Sequence, residues 1–356
     1  MTDLNTALLP NGLMDLLPEE AEAEARAITD LMTAFAAFGY RRVKPPLVEF
    51  EDSLLSAGPG AAMTRQTFRL MDPVSQRMMG VRADTTSQIA RIAGSRLAEE
   101  KRPLRLSYAA DVLRVNGTQL RPARQFTQVG CELIGAIPPQ DDAEIMLLAL
   151  HSLTAIGLRD LSIDITVPAV VGAVLDETDF DTKTRRDVIE ILKRRDKSAL
   201  SNISPPKGQI LLRLMEASGA ARDGIDKLAN IELPMSAAQD VTALKEAVLS
   251  LEKGLLAYNL PVNITIDPIE HRGLDYETGV SFSIFSKQVR GELGAGGRYR
   301  PHAGREETAT GFTLYMDTIL SALPPIKDKN LKHVPADTSW EDVKKLQTQG
   351  FTVIRG

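Results

Sequence analysis

The chain has 356 residues, 43% of them hydrophobic and 25% charged, so one large domain or two ordinary ones would bury a sizeable core. Its single cysteine, Cys131, excludes an internal disulfide and a cysteine-based zinc site, and its four histidines show no metal-ligand spacing. A formal net charge of −5 lowers the expectation of nucleic-acid binding, because contacts with phosphates need cations. No apolar run of membrane-spanning length and no secretory signal are evident, so we expect a cytoplasmic protein.

Helical and strand periods follow one another irregularly in the first half of the chain. A helix is predicted over residues 18–38, where Pro18 suits the first helical position and Gly39 ends the apolar stripe. The remaining patterns predict an edge strand over 40–49, a helix over 87–99 capped by Thr85 and Thr86, hairpin strands over 104–115 and 124–134, a helix over 142–155 and a strand over 161–166.

The second half opens with a long helical stretch. Residues 168–260 combine charge clusters with helical apolar spacing, which indicates a helical insertion. Further patterns predict strands over 262–269 and 279–285, a glycine-rich turn over 294–297, a core helix that starts near Thr310, and a short tail over 323–356 with one helix over 339–347. Strands and helices without regular alternation predict an α+β fold, an antiparallel sheet flanked by helices.

The second strand of the predicted hairpin carries the most informative pattern. Side chains alternate between the two faces of a strand, so Val129 and Cys131 share a face that suits burial under helices. Gln128 and Glu132 share the other face. Alternation alone favours a solvated face of an antiparallel sheet. The alternative is the floor of a site for a small polar ligand, which Arg114 of the first hairpin strand would join.

A series of segments resembles the class II aminoacyl-tRNA synthetases in their histidyl form. Residues 108–114 and 124–132 resemble motif 2. Other segments resemble, in family order, the N-terminal signature (10–18), motif 1 (39–49), the loop Arg82-Ala83-Asp84-Thr85-Thr86 that holds the amino group of histidine, the histidine-specific motif (271–279 and 296–299) and motif 3 (311–314). The resemblance implies a synthetase-like domain over residues 1–322 that dimerises through its motif 1 region.

The same resemblance implies a pocket for histidine but no catalytic residue. It places eight residues around the ligand, namely Asp84, Thr86, Arg114, Gln128, Glu132, Arg272, Tyr276 and Tyr299. Asp84 and Thr86 correspond to the positions near the amino group of the ligand. No metal and no cofactor is expected.

The departures from the synthetase pattern concern ATP and tRNA. Thr318 stands where motif 3 is expected to supply the arginine that holds ATP, and a threonine cannot offer a guanidinium to a phosphate. Asn116 replaces a motif 2 glutamate, and Glu277 replaces a tyrosine. The tail after Ala322 is too short for the anticodon-binding domain of the family, so we expect that domain to be missing.

A histidine pocket without the charging chemistry is similar to what the family of ATP phosphoribosyltransferase regulatory subunits contains. This resemblance implies a partnership with the short catalytic subunit and feedback by free histidine on the first step of histidine biosynthesis. It also implies no binding of tRNA or of a membrane. The alternatives are an active but truncated histidyl-tRNA synthetase and a synthetase-like regulator of another protein.

Overall fold

A computed structural model of the chain describes residues 8–56, 58–118, 121–177, 180–203, 207–270, 277–302, 306–324 and 330–356. The helices in these residues are α1 (Pro18–Ala37), α2 (Glu51–Leu54), α3 (Pro59–Ala62), α4 (Thr86–Gly94), α5 (Gln140–Ala155), α6 (Ala169–Asp176), α7 (Thr182–Lys193), α8 (Lys197–Ser201), α9 (Lys207–Glu216), α10 (Ala221–Leu228), α11 (Met235–Ala257), α12 (Met316–Ala322) and α13 (Trp340–Thr348). The strands are β1 (Arg41–Arg42), β2 (Val48–Phe50), β3 (Phe68–Met71), β4 (Met78–Val81), β5 (Leu104–Leu113), β6 (Gln125–Ile134), β7 (Leu161–Thr166), β8 (Gly219–Ala220), β9 (Asn263–Ile266), β10 (Glu277–Ser286), β11 (Gly294–Tyr299), β12 (Ala309–Tyr315), β13 (Leu331–Val334) and β14 (Thr352–Arg355). None of the described helices combines the length and the apolar character that crossing a membrane requires.

Helix α1 follows directly from its local sequence. Pro18 occupies the first helical position, and Glu19 and Glu20 lie in the first turn, where negative charge offsets the exposed amide groups. Leu31 and Phe35, one helical turn apart, are fully buried. The helix therefore packs its apolar stripe on the sheet, and the helix predicted over 18–38 is confirmed.

One nine-stranded sheet organises the molecule, with strand order β1-β5-β6-β12-β11-β10-β7-β9-β8. All neighbours from β5 to β7 pair antiparallel. The pairs β1–β5 and β7–β9 are parallel, which makes the sheet mixed near its edges. The predicted α+β fold is confirmed. The antiparallel pair β5–β6 in the interior of the sheet is the hairpin that the sequence pattern predicted.

Two predictions about the sheet interior are wrong. Residues 294–297 belong to strand β11 instead of a turn, and the region near Thr310 is strand β12, so that the helix begins only at Met316. Glycine is a turn signal in a sequence, but here it permits close packing, because a Cβ on Gly296 would overlap the carbonyl oxygen of Gly311. Strand β12 is buried along nearly all its length and lacks polar alternation, the usual signal of a strand.

Other boundaries differ from the sequence expectation by a few residues. The helix predicted over 87–99 ends at Gly94, and the strand predicted over 40–49 is divided between β1 and β2, which belong to different sheets. The region 168–260 is helical from α6 to α11, with the two-residue strand β8 inside it. The tail contains a parallel β13–α13–β14 unit, of which only the helix was predicted.

Hydrophobic residues pack against both faces of the central sheet. On one face, Cys131 and Val129 join a large core that includes residues of α1, α5 and α11. On the other face, Ile89 of α4 packs in a smaller core with Tyr108 and Tyr299. Cys131 is fully buried, which confirms it as a core residue, and α4 covers the sheet face that carries the polar residues of β6.

Candidate functional site

Two polar side chains of β6 lie inside the molecule. Gln128 is 0% exposed and Glu132 is 2% exposed. The position between them requires glycine, because a Cβ on Gly130 would overlap the Tyr108 hydroxyl and a backbone carbonyl of β12. The hypothesis of a solvated face is therefore wrong, and this side of β6 is a buried polar floor.

Gln128 connects this floor to the loop that precedes α4. Its Nε2 donates to Asp84 Oδ2 over 2.8 Å, and its Oε1 accepts from both the backbone N–H and the hydroxyl of Thr85 at 3.0 Å. The other oxygen of Asp84 accepts from the backbone N–H of Thr86 at 2.9 Å. Three predicted site residues thus meet around one amide. Thr85, predicted only as a cap, turns out to orient that amide.

The carboxyl group of Glu132 lies farther along the same floor. Its Oε2 accepts a hydrogen bond of 2.9 Å from the Tyr299 hydroxyl, and the Thr86 hydroxyl is a second partner. Burial raises the pKa of Glu132 to about 8; both hydrogen bonds oppose this shift, and the nearby charge of Asp84 adds to it. Burial therefore favours the protonated form of this carboxyl group, and a cation placed beside it would favour release of the proton.

A glycine on the adjoining strand gives the Glu132 side chain its space. Glu132 pairs across the sheet with Gly311, which in turn pairs with Gly297 of β11. A Cβ on Gly311 would overlap Glu132 Oε2. Gly311, in the segment that resembles motif 3, therefore leaves room for this carboxyl group, whereas a Cβ on Gly297 would overlap Ser281 of β10.

Arg114 closes the floor beyond the end of β5. Its Nε donates to the carbonyl oxygen of Ala83 over 3.1 Å, and its Nη2 lies 3.8 Å from Asp84 Oδ2. Its guanidinium also faces the ring of Phe126, with Cζ 5.1 Å from the ring centroid. This end of the buried polar surface therefore contains a positive charge on Arg114 and a negative charge on Asp84.

Six of the eight predicted site residues are therefore close neighbours, namely Asp84, Thr86, Arg114, Gln128, Glu132 and Tyr299. Arg272 and Tyr276 lie outside the described residues.

Tyr108 and Thr313 extend this polar network, and neither was predicted as a site residue. The Tyr108 hydroxyl and Thr313 Oγ1 share a hydrogen bond of 2.7 Å, and burial raises the pKa of Tyr108 well above its ordinary value. Thr313 follows Gly311 by two positions on β12. Period-two alternation would have placed Thr313 on the floor if β12 had been recognised as a strand.

A second cluster lies between the segment after the motif 2 loop and α12, the regions that the resemblance assigns to ATP. Arg121 Cζ lies 3.6 Å from the ring centroid of Tyr315 and 5.3 Å from that of Phe126. Its Nε lies 3.3 Å from Asp317 Oδ2. Thr318, the expected arginine position, is buried next to Asp317 in α12. A cation already covers the aromatic surface on which a nucleotide base could stack.

Comparison with known proteins places the chain in a family. The family model described as Histidyl-tRNA synthetase matches residues 12–319. An ATP phosphoribosyltransferase regulatory subunit from Rhodospirillum centenum is 50% identical over 348 residues, which cover 98% of this chain and 89% of the relative. Another, from Paramagnetospirillum magneticum, is 43% identical over 353 residues and covers 99% and 91% of the two chains. The chain belongs to the family of ATP phosphoribosyltransferase regulatory subunits.

The chain has the fold of histidyl-tRNA synthetase. A crystal structure described as an ATP phosphoribosyltransferase regulatory subunit/histidyl-tRNA synthetase from Bacillus halodurans C has a TM-score of 0.83 to this chain at 23% identity. The match covers 100% of this chain and 94% of the other. The fold class and the family expected from the sequence are both confirmed.

Proposed function

We propose that this chain is the non-catalytic regulatory subunit of an ATP phosphoribosyltransferase complex, which carries out the first step of histidine biosynthesis. It assembles with the short catalytic subunit and with a second copy of itself. Free histidine is the effector, and it binds on the polar floor between Asp84 and Glu132. The observation that carries this proposal is the contrast between the hydrogen-bonded residues Asp84, Gln128 and Glu132 and the neighbouring cluster, in which Arg121 covers the ring of Tyr315.

The chemistry of the floor suits a small amino acid with cationic groups. Asp84 and Glu132 offer carboxyl groups, and a carboxylate beside a cationic nitrogen forms a charge-assisted hydrogen bond. Arg114, near Asp84, offers a partner for the carboxylate of the ligand. Because the pKa of Glu132 is raised to about 8, entry of a cation there would be linked to the release of a proton.

Feedback requires that histidine prefer one conformation of the assembly over another. Three elements meet at the floor, which are β6, the end of β11 and the loop before α4. Gln128 holds the loop to β6 through Asp84 and Thr85, and Tyr299 holds β11 to Glu132. A ligand that competes for these hydrogen bonds would change how α4 sits on the sheet, and this movement is the proposed signal.

The chain is not proposed to charge tRNA. Asp317 places a carboxylate next to Thr318, so the region expected to hold the phosphates of ATP presents a negative charge that pairs with Arg121. The net charge of −5 also disfavours high-affinity binding of a polyanion such as tRNA.

A reconstitution experiment tests the proposal. The purified chain is mixed with the short catalytic subunit, ATP and phosphoribosyl pyrophosphate. The pyrophosphate that ATP displaces from phosphoribosyl pyrophosphate is then measured with and without histidine. We expect wild type to be required for activity and to confer inhibition by histidine. Glu132→Gln should weaken histidine binding by about 1.5–3 kcal/mol, the value of one hydrogen bond to a charged group, so inhibition shifts to higher concentration.

Glu246→Gln, an exposed change on α11, is the matched control and should leave inhibition unaltered. A Glu132→Gln complex as sensitive to histidine as wild type would move the regulatory site away from this floor. If the wild-type chain has no effect on the catalytic subunit, the assignment as its regulator is wrong.

A further inference from the structure

A groove of about 670 Å³ lies between the N-terminal part of α1, the ends of β5 and β6, and α12. All the charged side chains that line it are acidic, namely Asp15, Glu19, Glu20, Glu24, Asp111 and Asp317. We refer to it as the acidic groove. It lies on the helix side of the sheet, because Gln125 and Thr127 line it and alternate with Gln128 along β6. The groove reaches the Arg121 cluster through Phe126 and Asp317, but none of the described residues assigned to the histidine site lines it.

Most of these carboxyl groups lack a cation within the described part of the chain. Asp317 pairs with Arg121, and Asp111 accepts a hydrogen bond of 2.7 Å from the Thr127 hydroxyl. Among the described residues, Asp15 and Glu19 form no ion pair. Burial raises the pKa of Glu24, with Asp111 adding to that effect. A cation that entered the groove would relieve this repulsion.

Apolar side chains lie exposed along the same groove. Met14 is 69% exposed and Leu16 is 38% exposed, and both line it, together with Leu320 and Leu323 at the end of α12. Leu17, immediately next to the groove, is 63% exposed. Contiguous exposed apolar residues with a polar rim are typical of surfaces that bind another protein.

We propose that the acidic groove binds an amphipathic, cationic segment of the short catalytic subunit, a partner that rests on the function proposed above. Lysine or arginine side chains of that segment pair with Asp15, Glu19 and Glu20, while its apolar side chains cover Met14 and Leu16. The acidic lining of the groove favours a positively charged binding partner. A second copy of the chain that met the same surface across a two-fold axis would bring carboxylates against carboxylates.

The test compares two triple variants that make the same change in net charge. Asp15→Asn/Glu19→Gln/Glu20→Gln neutralises three exposed groups at the groove, and glutamine at position 20 can still accept the hydrogen bond from the N–H of Leu17. Asp187→Asn/Glu232→Gln/Glu246→Gln neutralises three exposed groups of the helical region and is the control. Binding to the immobilised catalytic subunit is measured between low and physiological salt.

Wild type and the control should bind alike, with affinity that falls as salt rises. The groove variant should bind about tenfold more weakly at low salt and depend less on salt, because exposed ion pairs each contribute a fraction of this factor. Its thermal unfolding and its histidine affinity should match those of wild type. Met14→Gln, which keeps every carboxylate, should also weaken binding but leave the salt dependence intact.

Each contrary result has its own meaning. If wild type binds the catalytic subunit and the groove variant binds it equally well, the groove proposal is overturned while the proposed function stands. If the groove variant instead loses self-association and keeps the catalytic subunit, the surface is an interface between copies of the chain, which also overturns the proposal. If wild type does not bind the catalytic subunit, both proposals fail together.

Discussion

The side-chain amide of Gln128 donates to Asp84 Oδ2 over 2.8 Å and so joins the middle of the sheet to the loop before α4. The same amide accepts two hydrogen bonds from Thr85. Gln128 is fully buried, and a buried polar group must find partners because its transfer from water is otherwise costly. These contacts therefore fix the position of the loop before α4 relative to β6, and with it the start of α4.

Replacing Gln128 by leucine should disrupt both the fold and the site. The Thr85 N–H would then be buried without a partner, which costs about 1–3 kcal/mol of stability, and Asp84 would lose the donor that orients it. We expect a lower melting temperature and at least tenfold weaker histidine binding by calorimetry. Gln125→Ala, an exposed change on the same strand, should alter neither. Unchanged histidine affinity in Gln128→Leu would show that the ligand does not depend on this amide.

The buried carboxyl group of Glu132 should make stability depend on pH in a direction unusual for an acid. Burial raises its pKa from 4.5 to about 8, so between these values the folded protein keeps a proton that the unfolded chain has released. Stability contributed by this group therefore falls as pH rises from about 5 to 8, by up to about 1.4 kcal/mol per pH unit. Because glutamine cannot ionise, Glu132→Gln should not show this decrease in stability as pH rises.

Thermal unfolding at pH 5 and pH 8 checks this prediction. Glu132→Gln should gain stability relative to wild type at pH 8, whereas the exposed change Glu246→Gln should follow the wild-type curve. Parallel curves for wild type and Glu132→Gln would mean that Glu132 is ionised across the whole range.

The sequence predicted most residues of the site, but it did not predict strands β11 and β12, which pack beside those residues. Period-two alternation separated Gln128 and Glu132 from Cys131 because it depends only on neighbours along one strand. The role of Gly311 depends on its register opposite Glu132, a contact between distant parts of the chain that no local pattern contains. For the same reason, the segment containing Gly296 was mistaken for a turn. The stacking of Arg121 on Tyr315 joins distant parts of the chain, and only the structure contains that information.

The contacts of Arg121 with Tyr315 and Asp317 should prevent adenylate formation. We expect no histidine-dependent exchange of pyrophosphate with ATP, under conditions where an active histidyl-tRNA synthetase gives a clear signal. Thr318→Arg should not restore exchange, because Arg121 still covers Tyr315 and still pairs with Asp317. Thermal unfolding would establish that the variant is folded. Exchange by the wild-type chain at an ordinary synthetase rate is incompatible with a purely regulatory subunit.

A methyl group added at Gly311 tests whether the position of the Glu132 carboxyl group matters for histidine. The new Cβ would overlap Glu132 Oε2 and the backbone carbonyl oxygen of Cys131, so both the carboxyl group and the adjoining backbone must shift while the carboxyl group itself is retained. We expect Gly311→Ala to destabilise the fold by about 1–3 kcal/mol, as overpacking usually does, and to weaken histidine binding by a factor similar to that of Glu132→Gln.

Gly172→Ala is the control for the Gly311 experiment, because it adds the same methyl group in helix α6, where nothing lies within 4 Å of the added atom. It should be neutral or stabilise the protein by about 0.5–1 kcal/mol, since alanine favours a helix over glycine, and histidine binding should not change. If Gly311→Ala loses stability but binds histidine as wild type does, the ligand does not contact Glu132. A double variant, Gly311→Ala with Glu132→Gln, separates the two effects. It should bind no more weakly than either single variant if both act through the same carboxyl group.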